Sequence, residues 1–417
     1  MTIRQAAITV IKRLQQSGFQ ALLAGGCVRD MLLRRRAKDH DVATNARPQD
    51  VVRLFKRTLK VGAKFGVVII LIDCQQVEVA TFRTESGYAD GRHPGSVEFA
   101  TAAEDAGRRD FTINGMFYDP LRKQVIDYVN GQADLRSGIV RTIGKPAERF
   151  AEDYLRMLRA VRFSTQLGFV IEPSTWSAIC GNAEKIARIS GERIAMELEG
   201  ILVHPNRAAG ASMLVESGLA RVIFPDFGDE QAKAAIAVLG RLRRKVDFAL
   251  AMAGFFAGCD TDFAVRSCQV LKLSRNRNKH IKFLLANRGR LLNEQMSLAD
   301  LKKLLAGPYF WDLFELQKAI QKAETPGRKI PALSAVEGMA ALIVLRRRIS
   351  ALGDVELQPK PLLDGHDLIR LGAVPGPALG QLAEEMYIAQ LEGTLQTVEH
   401  AEGWVKKWMQ KHEAMER

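Results

Sequence analysis

The sequence predicts an α+β chain, a mixed α/β head followed by an all-α remainder. Three observations carry this. Short β-branched runs broken by glycine are confined to the first 140 or so residues. From about residue 145 onward, apolar residues recur at three-to-four spacing. At 417 residues the chain is too long for one compact core, so two to four domains are expected.

The opening stretch places Ala7, Val10, Ile11 and Leu14 on one face of a helix. It lacks the apolar core and small-residue cleavage site of an export signal. LKVGAKFGVVIILID (59–73) and QQVEVATFR (75–83) read as strands. PAERFAEDYLRMLRAVRFSTQLGF (146–169), ERIAMELEGILV (192–203), LADLKKLLAG (298–307) and ALGQLAEEMYIAQLEG (378–393) read as helices. Breaks are expected near Gly144-Lys145-Pro146, Val203–Pro205 and Gln358–Pro361. They suggest segments 1–143, 144–225, 226–357 and 358–417.

Lys and Arg total 60 against 47 Asp and Glu, a net charge of +13, which favours a polyanionic partner. No apolar run approaches the roughly 20 residues of a membrane span, so no membrane partner is expected. The five cysteines are scattered, with no CxxC pair, which argues against a disulfide framework or a zinc site. The cytoplasm is the expected compartment.

The first chemistry lies in LLAGGCVRDMLLRRRAKDHDVAT (22–44). On a strand, Asp39 and Asp41 would share one face, with Val42 turned to the core. Convergent carboxylate oxygens suit a hard divalent cation, and Mg²⁺ is the usual ion where phosphates complete its shell. Gly25 and Gly26 would let backbone approach a triphosphate, or simply turn a strand into a helix. Arg29 follows at a spacing suited to phosphate. In QQVEVATFR, Glu78 alternates with Val77 and Val79, so it faces either solvent or the same site as a third acid.

Taken in order, AGGCVRD (24–30), DHDVAT (39–44), VEVATFR (77–83), RRDFTIN (108–114), EDYLRMLRAVRF (152–163) and ISGERIAMEL (189–198) resemble the class II tRNA nucleotidyltransferase and bacterial poly(A) polymerase family. The likeness is strong over about residues 20–230. It implies a nucleotidyltransferase head of the DNA polymerase β type, followed by helical neck, body and tail. It also implies that Asp39 and Asp41 ligate the catalytic metal. RRDFTIN would read the sugar and phosphates through Arg108, Arg109, Asp110 and Asn114; the alternative is a local Arg109–Asp110 salt bridge beside a buried Phe111. YADGRHPG (88–95) would be the mobile loop between the metal strands and RRDFTIN.

Asp153 and Arg156, three apart, would lie on one helix face and offer an acceptor beside a donor fork. Cytosine and adenine both present an amino donor beside a ring-nitrogen acceptor; uracil and guanine do not. The pair therefore fits CTP and ATP without a template. Arg159 and Arg162 continue the basic stripe of the nucleotide site, and Glu192 and Arg193 brace the neck. Basic clusters at Arg241–Lys245, Arg275–Lys282 and Arg346–Arg348 are either solvated helix faces or phosphate contacts.

The expected activity is template-independent addition of C and/or A to the tRNA 3′ end, by two-metal transfer with Mg²⁺. Rivals are CC-only or A-only addition, a poly(A) polymerase, and a non-catalytic RNA-binding protein. The stretch Val61–Gly66 lacks the basic GRRFR-like run of the poly(A) enzymes. His40 and Gly115 depart from the commoner family residues.

Overall fold

The computed structural model describes residues 1–59, 66–86, 96–323 and 335–413. The 88–95 loop and nearly all of the Val61–Gly66 stretch lie outside them. The chain forms two compact units, residues 1–236 with 266–274, and residues 237–265 with 275–417.

The first unit opens with α1 (Ile3–Gln16), capped by Thr2 and Gln5 in a reciprocal capping box. Ala6, Ala7, Val10, Ile11 and Leu14 are all buried. Full burial of each of the three larger ones stabilises the fold by about 1.5–3 kcal/mol. The head continues through β1 (Ala21–Ala24), α2 (Gly26–Leu32), β2 (Val42–Thr44), α3 (Pro48–Leu54), β3 (Thr58–Leu59), β4 (Val67–Ile72), β5 (Gln75–Thr81), β6 (Arg83–Ser86), β7 (Ser96–Phe99), α4 (Ala102–Gly107), β8 (Phe117–Asp119), β9 (Gln124–Ile126) and α5 (Gly131–Ser137).

Seven of these strands form one mixed sheet in the order β3-β4-β5-β2-β1-β8-β9. The β2–β5 pair is parallel and the others are antiparallel. Central β1 is buried at every position, so its sequence ALLA is continuously apolar. In β5, by contrast, Val77, Val79 and Thr81 are buried while Glu78 is exposed. One core cluster gathers Leu22, Ala24, Ala43, Phe82, Ala102, Ala106 and Phe117.

After β10 (Ile139–Val140), the chain becomes helical through α6 (Pro146–Glu152), α7 (Leu155–Leu167), α8 (Pro173–Asn182) and α9 (Gly191–Leu202). Three expectations need correction. β2 begins only at Val42, so Asp39 and Asp41 sit on the approach to the strand rather than in it. The stretch read as one helix over 146–169 breaks at Asp153, which is extended at φ −154° and ψ 103°. The helical remainder also contains a short strand, β11 (Val170–Ile171), parallel to β10.

The second unit is helical among its described residues, including Phe248–Phe255, Arg275–Ala286, Leu298–Leu305, Phe310–Ala323 and Pro377–Leu391. Near its C-terminal end a separate core joins Leu363, Leu368, Leu382, Met386, Leu395 and Val405.

The turn Thr112–Asn114, inside RRDFTIN, is clamped by α5. Thr112 Oγ1 donates to buried Asp134 Oδ2 at 2.7 Å. Gly131 packs so tightly that a Cβ there would overlap the Thr112 carbonyl oxygen and crowd Met116. A Gly131→Ala protein is expected to lose about 1–3 kcal/mol in urea unfolding, the cost of overpacking against unyielding backbone; an unchanged midpoint would refute the clamp.

Candidate active site

The acids come together through strand pairing. Val42 on β2 pairs with Val79 on β5, which brings the preceding residues, Asp41 and Glu78, side by side. Asp39, Asp41 and Glu78 line one pocket of about 300 Å³. Asp41 is exposed as a residue, yet its carboxyl is crowded. Desolvation raises that carboxyl, and the Glu78 and Asp39 charges raise it further, to about 6, against the pull of Arg109. Among the described residues none of the three acids makes an ion pair, and a divalent cation is what such a crowded set of hard oxygen donors would take.

The three acids are not tightly converged. Among the described residues, the one trio with ligand atoms all within 4.8 Å of one another is Asp247, His280 and Asp312 in the second unit. There His280 Nδ1 lies 3.6 Å from Asp247, and its Nε2 lies 3.4 Å from Asp312. Arg243 also binds Asp312 at 2.5 Å, and His280 stacks on Tyr309. Positive charge is already present, so this cluster reads as a tie between helices.

Asp41 also lines a larger cleft of about 480 Å³. Of the residues singled out for the nucleotide, Gly25, Gly26, Arg29, Arg108, Arg109, Asp110, Asn114, Asp153, Arg156 and Arg159 all line it. Gly25 is indeed the turn from β1 into α2, with φ +74°, and a Cβ on it would press Arg109 Nη1 at 3.0 Å. Arg29 donates from Nη1 to Asn114 Oδ1 at 2.7 Å and pairs with Asp30. Arg108 and Arg109 both bind Asp105, a residue only 1% exposed. Burial raises the Asp105 carboxyl, but the two guanidinium groups more than offset this and hold it low. The local Arg109–Asp110 bridge therefore does not form.

Asp110 instead reaches across to the neck. Its Oδ2 accepts from Arg159 Nε and Nη2 at 2.9 and 2.7 Å, and its Oδ1 accepts from Asn114 Nδ2 and the Phe111 amide. Burial pushes this carboxyl up, yet Arg159 and the Asn114 hydrogen bond pull it to about 2.

Asp153 and Arg156 share the cleft but not a helix, since Asp153 lies in the break before α7. Asp153 accepts from the Leu155 amide and from Arg193 Nη2, at 3.0 and 2.7 Å. Arg156 uses only Nη1, for the Arg149 carbonyl and the Glu152 carboxylate. Its Nε–Nη2 edge makes no hydrogen bond among the described residues. Arg162 does not line the cleft; it binds Glu197 at 2.6 Å and lies over Phe163.

The sequence reading missed three lining residues, Leu155, Phe163 and Arg193. Arg193, expected to brace the neck, does so by pairing with Asp153 and also lines the cleft, while Glu192 pairs with Lys272. Phe163 carries Arg29, Arg159 and Arg162 within 5.5 Å of its ring. Its signal was available: it is the one aromatic in a basic stripe, RAVRF. Gly115 has a packing reason, since a Cβ there would lie 2.7 Å from Val129 Cγ2.

Two outcomes follow from these charges. Asp110 is depressed in the folded state, so its contribution is present above its ordinary value of 3.8 and lost as pH falls toward about 2. An Arg159→Met protein should be destabilised by about 2 kcal/mol at pH 7, as for a charged hydrogen-bonded pair, and the deficit should shrink below about pH 4 in urea titrations; a pH-independent deficit would contradict the bridge. Asp41 is raised, so its proton competes with a cation and Mn²⁺ affinity should climb through about pH 6. In Glu78→Gln that midpoint should move to lower pH by calorimetry; a midpoint that stays or rises would rule out charge crowding.

Comparisons with known proteins place the chain in a family. Residues 21–141 match the family model described as "Poly A polymerase head domain", and residues 168–230 match "Probable RNA and SrmB- binding site of polymerase A". A CCA-adding enzyme of Lactobacillus johnsonii is 32% identical over 404 residues, covering 95% of each chain. One from Lactiplantibacillus plantarum is 36% identical over 383 residues, covering 91% of this chain and 89% of its own. The crystal structure of the Bacillus stearothermophilus CCA-adding enzyme in complex with CTP superposes with a TM-score of 0.78 at 29% identity, covering 99% of both chains. With relatives 32% and 36% identical over about nine-tenths or more of both chains, the chain belongs to the CCA-adding enzyme family.

Proposed function

We propose that this protein adds C and A to the 3′ end of tRNA from CTP and ATP, without a nucleic-acid template. The observation that carries the reading is one cleft lined by Asp41, the RRDFTIN residues and the Asp153/Arg156 pair together. A relative that superposes over the whole chain was solved with CTP, and the Lactobacillus johnsonii and Lactiplantibacillus plantarum relatives are CCA-adding enzymes.

Membership of a nucleotidyltransferase family implies a divalent metal, and we take it to be Mg²⁺, held by Asp39 and Asp41 with Glu78 beside them. When bound, it would neutralise charge on the attacking and leaving oxygens. The protein's own contribution is positioning. Arg108 and Arg109, fixed by Asp105, offer donors to the triphosphate. Asn114 and the Asp110 edge lie beside the sugar. The free Nε–Nη2 edge of Arg156 donates to the ring nitrogen of cytosine or adenine. Asp153, with lone pairs left after its two hydrogen bonds, accepts from the exocyclic amine. UTP and GTP would set like against like at both groups. Arg162 acts at one remove, by holding Glu197 and Phe163 against the site. The attacking group is the tRNA 3′-hydroxyl, displacing pyrophosphate in line from the α-phosphorus.

In keeping with this reading, residues 1–143 are the catalytic head and 144–225 the base-selecting neck. Residues 226–357 and 358–417 are body and tail, which hold tRNA. All five cysteines are free, which fits the reducing cytoplasm.

The test uses tRNAs ending before C74, before C75 and before A76, each with CTP or ATP alone, and sizes the products. We expect C, C and A in turn. Two Cs only, or one A only, would reveal a specialist, and long A-tails on generic RNA a poly(A) polymerase. Asp41→Ala should abolish incorporation. Arg156→Ala should narrow the preference for CTP over UTP by about 1–3 kcal/mol, the cost of one buried polar mismatch; full selectivity in that variant would remove Arg156 from base choice.

A further inference from the structure

α2 has two working faces. Gly26 and Arg29 face the nucleotide cleft. Cys27 and Met31, about half a turn round, face a second cleft of about 400 Å³. That cleft is also lined by Arg4, Arg34, Arg35, Arg36 and His40. Ile3 and His40 line the acid pocket as well, so the two adjoin beside Asp39 and Asp41. The acids thus have an arginine-bearing cleft on either side, with α2 as the partition.

The second cleft is built rather than incidental. Leu33 caps α2, and Arg34 takes the left-handed conformation at φ +54°. The Arg34 amide donates to the Met31 carbonyl at 3.0 Å and the Arg35 amide to the Asp30 carbonyl at 2.8 Å, which fixes where the arginine run leaves the helix. Arg35 then donates from Nη1 to the Gln166 carbonyl of α7. Among the described residues, Arg4, Arg34 and Arg36 make no ion pair, whereas Arg29, Arg108, Arg109, Arg156, Arg159 and Arg193 each hold a carboxylate. His40 Nδ1 is buried without a hydrogen-bond partner on the same wall.

We propose that this cleft binds the phosphodiester backbone of the last nucleotides of the acceptor strand, with Arg4, Arg34 and Arg36 as phosphate ligands and Arg35 as a positioning residue. The inference rests on the proposed nucleotidyl transfer and deepens it. Attacking and leaving oxygens lie in line through the reacting phosphorus. A triphosphate held on the Arg108/Arg109 side therefore requires the incoming strand from the other side of the acids. That is where unpaired arginines stand, and guanidinium forks suit phosphate.

The probe is a fluorescein-labelled six-nucleotide single-stranded RNA, followed by anisotropy across a salt series, with CTP and inorganic pyrophosphate binding measured in parallel. In Arg4→Ala and in the Arg34→Ala/Arg36→Ala double variant, RNA affinity should fall about tenfold. The slope of log K against log salt should shrink by about 0.7 for each phosphate that is no longer neutralised. Arg36→Lys should keep the salt slope, because the charge is kept, and CTP and pyrophosphate binding should not change. Arg53→Ala, an exposed arginine on α3, should leave RNA binding intact. Unchanged RNA affinity and slope in the cleft variants would overturn the proposal, as would an equal loss in Arg53→Ala. A loss confined to CTP or pyrophosphate would also overturn it, by assigning the arginines to the triphosphate. The readings separate cleanly, because failure of the wild-type protein to add C to tRNA sinks the proposed function, while the anisotropy series still judges the cleft.

Discussion

The bridge between Asp110 and Arg159 is the interaction on which the rest of the site depends. Asp110 sits in the head motif and Arg159 on α7 of the neck, forty-nine residues on. Their bond joins the RRDFTIN wall of the cleft to its α7 wall. Asp110 is almost fully withdrawn from water, so its charge is tolerable only while Arg159 and Asn114 satisfy it. Through Asn114 the same link passes to Arg29, and through Arg159 to Glu197 and Phe163.

The cleft shows a recurring arrangement. Asp105 holds Arg108 and Arg109, Glu152 holds Arg156, and in turn Arg193 holds Asp153. Each pairing restrains a long side chain that would otherwise lose several rotamers when a ligand arrives. A guanidinium has five donors, so one edge can be spent on a protein carboxylate and another kept for a substrate. Arg156 illustrates this most plainly, with Nη1 committed and the opposite edge making no hydrogen bond among the described residues. The acid pocket follows the opposite logic, because there like charges are forced together and, among the described residues, none of the three acids makes an ion pair. Electrostatics thus divides the site into a pre-paired cationic surround and an unsatisfied anionic centre, which is how positioning and charge stabilisation can be combined in one phosphoryl-transfer site.

Much of this was legible in the sequence because the relevant patterns are local. Alternation in QQVEVATFR placed Val77 and Val79 inside and Glu78 outside, since side-chain period on a strand depends only on backbone geometry. The helical face of Ala7, Val10, Ile11 and Leu14 was equally fixed by spacing. Partner choice was not legible. RRDFTIN could be read as Arg109 bonding Asp110, yet Asp105, one turn back on α4, takes both arginines. The helix over 146–169 could be read as continuous, yet Asp153 interrupts it and turns its carboxylate toward Arg193.

The sequence by itself determined an α+β chain with a sheet-bearing head, a helical remainder, a basic surface and a set of acids and arginines suited to nucleotide phosphates. These follow from periodicity, composition and residue chemistry, none of which needs long-range contacts. Only the tertiary structure decided that Asp41 and Glu78 are neighbours, that Asp110 spans to Arg159, that Arg156 keeps a free edge, and that α2 separates two arginine-bearing clefts beside one group of acids. Each of these depends on strand pairing or helix packing between segments far apart in sequence, and a carboxylate's partner is set by which guanidinium the fold brings within reach.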